Sequence, residues 1–251
     1  MTKRTTLITG ATSGIGEATA RLLARDNHRL ILCGRREERL EKIQNDLLEH
    51  TDVVTLHFDV RNREEVFASI DSLPQEWQSI DVLINNAGNA HGFDSIHEGS
   101  IEDWEAMIDI NVKGLLYMTR KITPGMVARK AGHIINIGSI AGKEVYPKGN
   151  VYCGSKYAVD AINDGMRIDL NPYGIKVSLV NPGLVNTEFS LVRFKGDEQK
   201  ADTTYKGMTP LYGEDIAEII QFILNRPSHV NISDLIAFPT AQASTTIVHR
   251  E

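Results

Sequence analysis

The fold is constrained most strongly by a regular alternation of short apolar runs with longer amphipathic stretches. Seven apolar runs have the length of buried strands, at residues 5–9, 29–33, 53–58, 81–85, 133–137, 176–181 and 233–238. The stretches between them predict helices, at residues 15–26, 37–49, 63–72, 101–129, 151–170 and 213–225. Strands that alternate with helices in this way predict an α/β fold, a doubly wound parallel sheet covered by helices on both faces. Such a sheet binds ligands at the carboxyl ends of its strands, near the point where the strand order reverses.

The composition is that of an ordinary soluble globular protein, with 41% hydrophobic and 24% charged residues in a chain of 251. The sequence has no internal repeat, low-complexity tract or linker-like change of composition, so we expect a single domain over residues 1–251. The formal charge of −6 and the pI near 5.8 argue against nucleic acid or an anionic membrane as the main partner. Small molecules that carry phosphate stay possible, because a local site can override the net charge.

The apolar runs, the cysteines and the histidines indicate where the protein is located and which metal or disulfide sites it can form. No apolar run approaches the roughly 18 residues that a membrane helix needs, and the first strand-like run begins by Thr5, which leaves no room for a signal peptide. We therefore expect a cytoplasmic protein. The two cysteines, Cys33 and Cys153, are too few for a disulfide framework or a cysteine-ligated zinc site. The eight histidines form no metal-ligand pattern, so no metal site is expected.

A glycine-rich turn joins the first predicted strand to the first predicted helix. Its glycines, Gly10, Gly14 and Gly16, allow a sharp turn, a close approach of the backbone to a pyrophosphate and close packing of the helix on the strand. The N-terminus of the following helix offers free amides and the positive end of the helix dipole. We therefore interpret this segment as a dinucleotide-binding turn rather than a merely structural one.

Tyr152 and Lys156 form a candidate pair for proton transfer, since residues four apart on a helix lie on the same face. A tyrosine has a pKa of about 10, and bringing it near neutral requires about 4 kcal/mol of preferential support for the phenolate. A lysine cation in a partly desolvated cleft, helped by a positively charged cofactor ring, can supply that support. Taken alone, a tyrosine and a lysine four residues apart more often lie on a solvated helix face than in a catalytic site. The glycine-rich turn elsewhere in the chain makes the catalytic interpretation the favoured one. Ser139 follows the strand at 133–137, where its hydroxyl can donate to a substrate oxygen.

Further motifs occur in a fixed order along the chain, each at a strand end or on the adjoining helix. They are the turn at 9–16, Asn85-Asn86-Ala87-Gly88, Asn111, Ser139 with Tyr152 and Lys156, and Pro182-Gly183 with Thr187. In these motifs the chain resembles the short-chain dehydrogenase/reductase family over essentially its whole length. The resemblance implies a seven-stranded Rossmann-like sheet in the order 3-2-1-4-5-6-7. It also implies hydride transfer between a nicotinamide and a carbonyl or alcohol.

The resemblance further implies roles for individual residues. Tyr152 exchanges a proton with the substrate oxygen, Ser139 donates to that oxygen, and Lys156 lowers the pKa of the tyrosine and holds the nicotinamide ribose. Asn111 holds a water that links Lys156 to solvent, although a buried asparagine bonded to the backbone explains its presence equally well. The cofactor contacts implied are Gly10, Thr12, Ser13, Gly14, Ile15, Gly16, Arg35, Arg36, Asp59, Val60, Asn86, Ala87, Gly88, Tyr152, Lys156, Pro182, Gly183, Val185 and Thr187.

The end of the second predicted strand indicates which nicotinamide cofactor is used. An NAD-selective fold usually places a carboxylate there for the ribose 2′-hydroxyl, whereas the 2′-phosphate of NADP requires arginine. Here the strand ends in Cys33-Gly34-Arg35-Arg36, which favours NADP. The alternative is that the two arginines merely begin a charged helix face. Asp59, at the end of the third strand, matches the family's adenine contact and is also a candidate cap for the next helix.

The substrate is indicated by a closer resemblance, to the NADP-dependent 3-hydroxy acid dehydrogenases. It rests on the runs at 73–77, 102–109, 117–120, 182–185 and 192–197. Members of that subgroup act on L-serine, L-allo-threonine and related short 3-hydroxy acids, and some reduce malonic semialdehyde. A small carboxylate requires a cation, for which Arg193, Lys195 and Lys143 are candidates. We expect Arg193 to contribute, because it lies in the longest irregular segment, residues 183–210, which we interpret as a substrate loop.

Two alternative functions remain open at this point. A reductase of carrier-bound 3-oxoacyl chains uses the same catalytic residues and requires a basic docking patch, for which Arg120, Lys121, Arg129 and Lys130 are candidates. A regulator that binds NADP without turnover is the alternative from another class. The resemblance also implies that the helices at 101–129 and 151–170 pair across a two-fold axis in a homotetramer, although the sequence alone allows a dimer.

Overall fold

The computed structural model describes residues 3–251 and confirms the predicted doubly wound sheet. Seven parallel strands pair in the order β3-β2-β1-β4-β5-β6-β7. The chain proceeds outward from β1 to β3, returns to β4 beside β1, and then proceeds to β7 on the other side. The strands are β1 (Arg4–Thr9), β2 (His28–Gly34), β3 (Val53–His57), β4 (Val82–Asn85), β5 (Gly132–Ile137), β6 (Ile175–Pro182) and β7 (Asp234–Ala237).

Helices cover both faces of this sheet. On one face α3, α5 and α6 pack on a core that includes Leu7, and on the other α1, α2 and α9 pack on a core that includes Ile8. Neighbouring residues of a strand point to opposite faces, which is why both are fully buried. The helices are α1 (Gly14–Leu23), α2 (Glu37–Leu47), α3 (Arg63–Asp71), α4 (Ile101–Ile108), α5 (Leu115–Arg129), α6 (Asn150–Leu170), α7 (Phe189–Arg193), α8 (Glu198–Thr203) and α9 (Gly213–Leu224). None of them, within the described part of the chain, is long and apolar enough to cross a membrane.

A ladder of buried amides joins the sheet to α6, the helix that carries Tyr152 and Lys156. Asn85 at the end of β4 donates to the Asn136 side chain on β5 at 2.9 Å, and Asn136 donates to the Asn163 side chain on α6 at 3.0 Å. All three asparagines are buried. A buried amide is costly unless it is hydrogen-bonded, so these bonds favour one position of α6 on the sheet.

Two predicted elements differ from the structure. The helix predicted over residues 101–129 consists of α4 and α5 joined by a wider π-helical turn, Asp109–Gly114. The segment 183–210, predicted to be irregular, contains the short helices α7 and α8. Such short helices carry too few residues for their periodicity to be recognised in the sequence.

The cap of α3 also differs from one expectation. Asn62, and not Asp59, caps this helix, since its side chain accepts hydrogen bonds from the backbone amides of Glu64 and Glu65. The Asp59 carboxylate instead pairs with Arg61 at 2.7 Å. A helix-capping role for Asp59 is therefore wrong.

Candidate active site

The carboxyl ends of the central strands open into a cavity of about 890 Å³. The turns after β1, β2, β4, β5 and β6, the first turns of α6 and the segment that contains α7 and α8 all contribute to its wall. It lies where the strand order reverses, between β1 and β4, as expected for a doubly wound sheet. The predicted site residues that line it are Gly10, Thr12, Ser13, Gly14, Ile15, Arg35, Arg36, Val60, Asn86, Ala87, Gly88, Ser139, Tyr152, Lys156, Pro182, Gly183, Val185, Thr187 and Arg193.

The turn after β1 has the shape of a phosphate cradle. Gly10 has a φ of +66°, and a Cβ atom there would lie 2.9 Å from the Asn86 amide nitrogen and 3.0 Å from the Ala87 Cα. Gly16 does not line the cavity, but a side chain there would collide with the Gly10 carbonyl. The Asn86 side chain donates to the Thr9 carbonyl at 2.9 Å and so fixes the turn against the strand β4. These residues fit a dinucleotide, because glycine backbone without side chains and the N-terminus of α1 both reach the cavity, where they can contact a pyrophosphate.

Arginines lie at the end of β2, beside this turn. Arg36 donates to the Thr12 hydroxyl from Nε at 3.1 Å and from a terminal nitrogen at 2.9 Å, and to the Ser13 hydroxyl at 2.7 Å. Arg35 lies 3.7 Å from the Asp59 carboxylate. Although its partial burial acts in the opposite direction, the Arg61 and Arg35 guanidiniums hold the pKa of Asp59 below its usual value. Asp59 itself does not line the cavity, so the predicted adenine contact stays a prediction.

Tyr152 and Lys156 are both buried on the first turns of α6, beside Ser139 at the end of β5. Burial raises the pKa of the Tyr152 phenol, an effect that Tyr146 reinforces and that a hydrogen bond with Ser139 and the nearby Arg193 guanidinium oppose. Burial also lowers the pKa of Lys156 to about 8, and its ammonium donates to the Ile137 carbonyl at 2.9 Å. The protein surroundings alone therefore shift the tyrosine pKa away from neutrality, opposite to the direction that the sequence analysis expects.

Asn111 lies in the π-helical turn between α4 and α5, and its side chain is fully hydrogen-bonded. The amide oxygen accepts from the Asn89 backbone amide at 2.9 Å, and the amide nitrogen donates to the Asn89 carbonyl at 2.8 Å and to the Ser155 hydroxyl at 3.0 Å. The buried side chain thus ties the segment after β4 to α6. Its predicted water-holding role stays a prediction. π-helical turns are frequent at functional sites.

Arg193, at the end of α7, is the predicted substrate-binding cation that lines the cavity beside Tyr152. Its guanidinium donates to the Tyr146 hydroxyl and lies over the rings of Phe93 and Tyr152, 5.3 Å from each ring centre. The Tyr152 ring also packs against Phe189, the first residue of α7. A substrate group next to Tyr152 would therefore meet a positive charge and aromatic walls.

The other two candidate cations are already paired and do not line the cavity. Lys195 lies 2.9 Å from the Asp103 carboxylate. Lys143 is held between Asp160 at 2.5 Å and Asp234 at 2.7 Å. Neither lysine is therefore placed to bind a substrate carboxylate beside Tyr152.

Several other polar residues do not line the cavity. His91 and His97, the histidines that the sequence places after the Asn-Asn-Ala-Gly motif, do not line it. In the predicted basic patch, Lys121 pairs with Asp71 at 2.6 Å and Arg129 donates to the Ile80 carbonyl at 2.7 Å. Both cations are thus engaged within the protein, which does not favour a carrier-docking surface there. Among residues 3–251, no group of three or more His, Cys, Asp or Glu side chains could hold a metal ion.

Sequence reasoning did not identify several residues of the cavity wall. Tyr146, Phe93, Phe189, Tyr205 and Gln242 line it together with the acidic residue Glu188. Gln242 accepts from the Leu184 backbone amide at 2.8 Å and so supports the turn after β6. Most of these residues lie in segments without a recognisable motif. Glu188 is the exception, because it directly follows Thr187 of the Pro-Gly motif segment.

Comparison with known proteins gives consistent matches. The family model described as short chain dehydrogenase matches residues 4–197. The NADP-dependent 3-hydroxy acid dehydrogenase YdfG of Salmonella typhi is 48% identical over 246 residues, which are 97% of this chain and 98% of that protein. The NADP-dependent 3-hydroxy acid dehydrogenase of Schizosaccharomyces pombe is 44% identical over 251 residues, covering 99% and 97% of the two chains.

Solved structures agree with these sequence matches. A closed form of serine dehydrogenase complexed with NADP+ superposes with a TM-score of 0.93 at 46% identity, over 98% of this chain and 100% of that one. Serine dehydrogenase from Escherichia coli superposes with a TM-score of 0.83 at 40% identity, over 95% and 99% of the two chains. The matches thus extend over nearly the whole chain, including the cavity wall.

Proposed function

Because this chain belongs to the short-chain dehydrogenase family, we propose that it is an NADP-dependent oxidoreductase that acts on the CH–OH group of a short 3-hydroxy acid. In the direction of reduction, the substrate is the corresponding 3-oxo acid or semialdehyde. The substrate class is that of L-serine, L-allo-threonine and 3-hydroxypropanoate. NADP as cofactor and oxidoreductase chemistry, both predicted from the sequence, are confirmed by the relatives, which are NADP-dependent dehydrogenases. The observation that carries the substrate class is the Arg193 guanidinium beside Tyr152.

NADP fits the residues that the cavity presents. Gly10, Gly14 and the N-terminus of α1 would hold the pyrophosphate, Arg36 the 2′-phosphate, and Lys156 and Thr187 the nicotinamide half. When bound, NADP supplies or accepts the hydride at the nicotinamide ring. The protein contributes binding, orientation and proton transfer.

The proton is moved by Tyr152. Its phenol protonates the oxygen of a carbonyl substrate, and in the reverse direction its phenolate accepts the proton of an alcohol substrate, while the Ser139 hydroxyl donates a hydrogen bond to the same oxygen. Since burial raises the pKa of Tyr152, alcohol oxidation needs positive charge close to the phenolate. Lys156, one helical turn away, supplies such a charge, and so does Arg193. The Asn111 side chain keeps the segment after β4 in place against α6.

Arg193 binds the substrate carboxylate in this proposal. Its guanidinium lies beside the phenol that reacts, and one 3-hydroxy acid is short enough to contact both. The aromatic rings of Phe93 and Tyr146 flank the guanidinium, and its partial burial strengthens its bond to a carboxylate. A neutral alcohol makes no such bond, so the charge of Arg193 should select for acids.

Initial rates of Arg193→Met and Arg193→Lys variants test this role. The methionine variant should raise KM for L-serine and 3-hydroxypropanoate by roughly tenfold or more, as expected for the loss of a charge-assisted hydrogen bond. KM for a plain secondary alcohol should change little, and the lysine variant should retain part of the selectivity. Lys195→Met is the matched control, because Lys195 lies in the same segment but pairs with Asp103. An equal rise of KM for the acids and for the alcohol in the methionine variant would refute carboxylate binding by Arg193.

A homotetramer is the proposed assembly. Of the apolar residues on α5 and α6, Leu115, Met118, Val159 and Ile162 pack on the core of their own chain. Leu116 on α5, 40% exposed, and Ile168 on α6, 68% exposed, are left on the outer faces of these helices. Light scattering of the purified protein would measure the assembly directly. The single domain and the cytoplasmic location stay predictions from the sequence.

A further inference from the structure

Glu188 and Arg36, which both line the cavity, form an ion pair, and Glu188 also pairs with Arg39. One carboxylate oxygen accepts from Arg36 at 2.7 Å, and the other accepts from Arg39 at 2.7 Å. The arginines belong to the end of β2 and the start of α2, whereas Glu188 directly precedes α7. The contact therefore joins two parts of the chain that lie about 150 residues apart.

The ion pair with Glu188 occupies an N–H donor of Arg36 that a phosphate group would use. Nε and one terminal nitrogen of Arg36 donate to Thr12 and Ser13, and the other terminal nitrogen donates to Glu188. A guanidinium binds phosphate best through two parallel N–H groups of its fork. A 2′-phosphate that approaches Arg36 must therefore displace the carboxylate or lie beside a like charge.

Glu188 is ionised under ordinary conditions. Although its partial burial acts in the opposite direction, the hydrogen bonds from Arg36 and Arg39 hold the pKa of this carboxyl below its usual value. Glu188 is also the single acidic residue on the cavity wall, within the part of the chain that the structure describes. A cofactor that carries several phosphates thus meets one negative charge, next to Arg36, one of the two arginines predicted for NADP selection.

We propose that Glu188 competes with the adenosine 2′-phosphate for Arg36 and Arg39 and thereby sets the affinity for NADP relative to NAD. This inference rests on the proposed function, in which Arg36 recognises the 2′-phosphate. The competition weakens the binding of NADP and leaves the binding of NAD unaffected, since NAD has no 2′-phosphate that would bind these guanidiniums. Both pairs are partly exposed, with 38% of the Glu188 side chain accessible, so the expected effect is moderate.

Calorimetric titration of Glu188→Gln with two adenosine ligands tests the competition. Adenosine 2′,5′-bisphosphate carries the 2′-phosphate, and adenosine 5′-diphosphate lacks it. The variant should bind the bisphosphate roughly three- to tenfold more tightly than the unmodified protein, as expected when two partly exposed ion pairs no longer compete. Binding of the diphosphate should not change. Glu198→Gln, which removes a charge from α8 in the same segment, is the matched control and should bind both ligands as the unmodified protein does.

The outcomes separate the inference from the proposed function. Unchanged or weaker bisphosphate binding in Glu188→Gln, or an equal change for both ligands, would overturn the competition while NADP dependence stands. If the unmodified protein does not prefer the bisphosphate at all, recognition of the 2′-phosphate by Arg36 is wrong, and the competition is wrong with it.

Discussion

Two buried histidines should make this protein lose stability in mild acid, before its carboxylates titrate. His28 on β2 and His133 on β5 are both buried. Burial, with a smaller effect of the Arg4 charge, lowers the pKa of His28 to about 4. Burial, with smaller effects of Lys176 and Arg4, lowers the pKa of His133 to about 3. His28 also has a buried Nε2 without a hydrogen-bond partner, so a proton added there would carry its charge into an apolar core.

The sign of the effect follows from where each proton binds more tightly. In the unfolded chain a histidine has a pKa of about 6.5, so between that pH and the native pKa the unfolded chain takes up the proton and the native protein does not. Stability is therefore fully present above about pH 7 and falls as the pH drops through 6.5. Between pH 7 and pH 5.5 each histidine should lower the free energy of unfolding by about 1 kcal/mol, and the pair by about 2–3 kcal/mol.

Urea unfolding at pH 7 and pH 5.5, at one protein concentration, measures this difference. His133→Gln keeps an amide that can reach the Ser178 hydroxyl, which His133 contacts at 2.9 Å, but it cannot titrate. This variant should lose about half of the acid effect, whatever its stability at pH 7. His97→Gln is the control, because the His97 side chain is 75% exposed. Equal stability of the unmodified protein at the two pH values, or an undiminished difference in His133→Gln, would refute the reasoning.

The remaining predictions concern the two ends of the cavity. Tyr152→Phe should lower kcat by roughly 10²–10⁴-fold, the range for loss of a general acid or base, and should leave NADPH binding intact in a fluorescence titration. Turnover that survives this change would exclude Tyr152 as the proton donor. Gly10→Ala should abolish NADPH binding in the same titration, because the new Cβ meets Asn86 and Ala87 and the residue needs a φ of +66°. Gly154→Ala, at a helical position with open space around it, is the control that should bind normally.

The sheet and the cradle could be predicted because their signals are local. The apolar runs and the spacing of the glycines at 10, 14 and 16 are each recognisable within a short stretch of sequence, although the glycines face distant residues such as Asn86 and Thr187 in the fold. The substrate end depends instead on contacts between distant segments. The sequence shows three cations, but only the structure shows that Asp103 holds Lys195 and that Asp160 and Asp234 hold Lys143.

Two other differences have equally physical causes. A π-helical turn differs from an α-helical one by a single residue per hydrogen-bonded ring, so the apolar pattern of residues 101–129 runs through Asp109–Gly114 without a visible break. Glu188 resembles any surface glutamate in the sequence, because its partners Arg36 and Arg39 lie about 150 residues earlier. Long-range charge pairing therefore could not be predicted from residue spacing.

The amide ladder under α6 limits how this sequence can change over evolution or in redesign. Asn85 donates to Asn136 and Asn136 donates to Asn163, so replacing one by an apolar residue removes a buried hydrogen bond from its neighbour. Replacing all three at once with apolar residues of matching shape reduces that penalty, and the buried Thr119 hydroxyl, to which Asn85 donates at 3.1 Å, then loses a donor. Apolar substitutions at these three positions are therefore expected to occur together. A mutant library that varies the positions one at a time would miss the apolar combinations that fold. The same restriction protects the position of Tyr152, because the ladder anchors the helix that carries it.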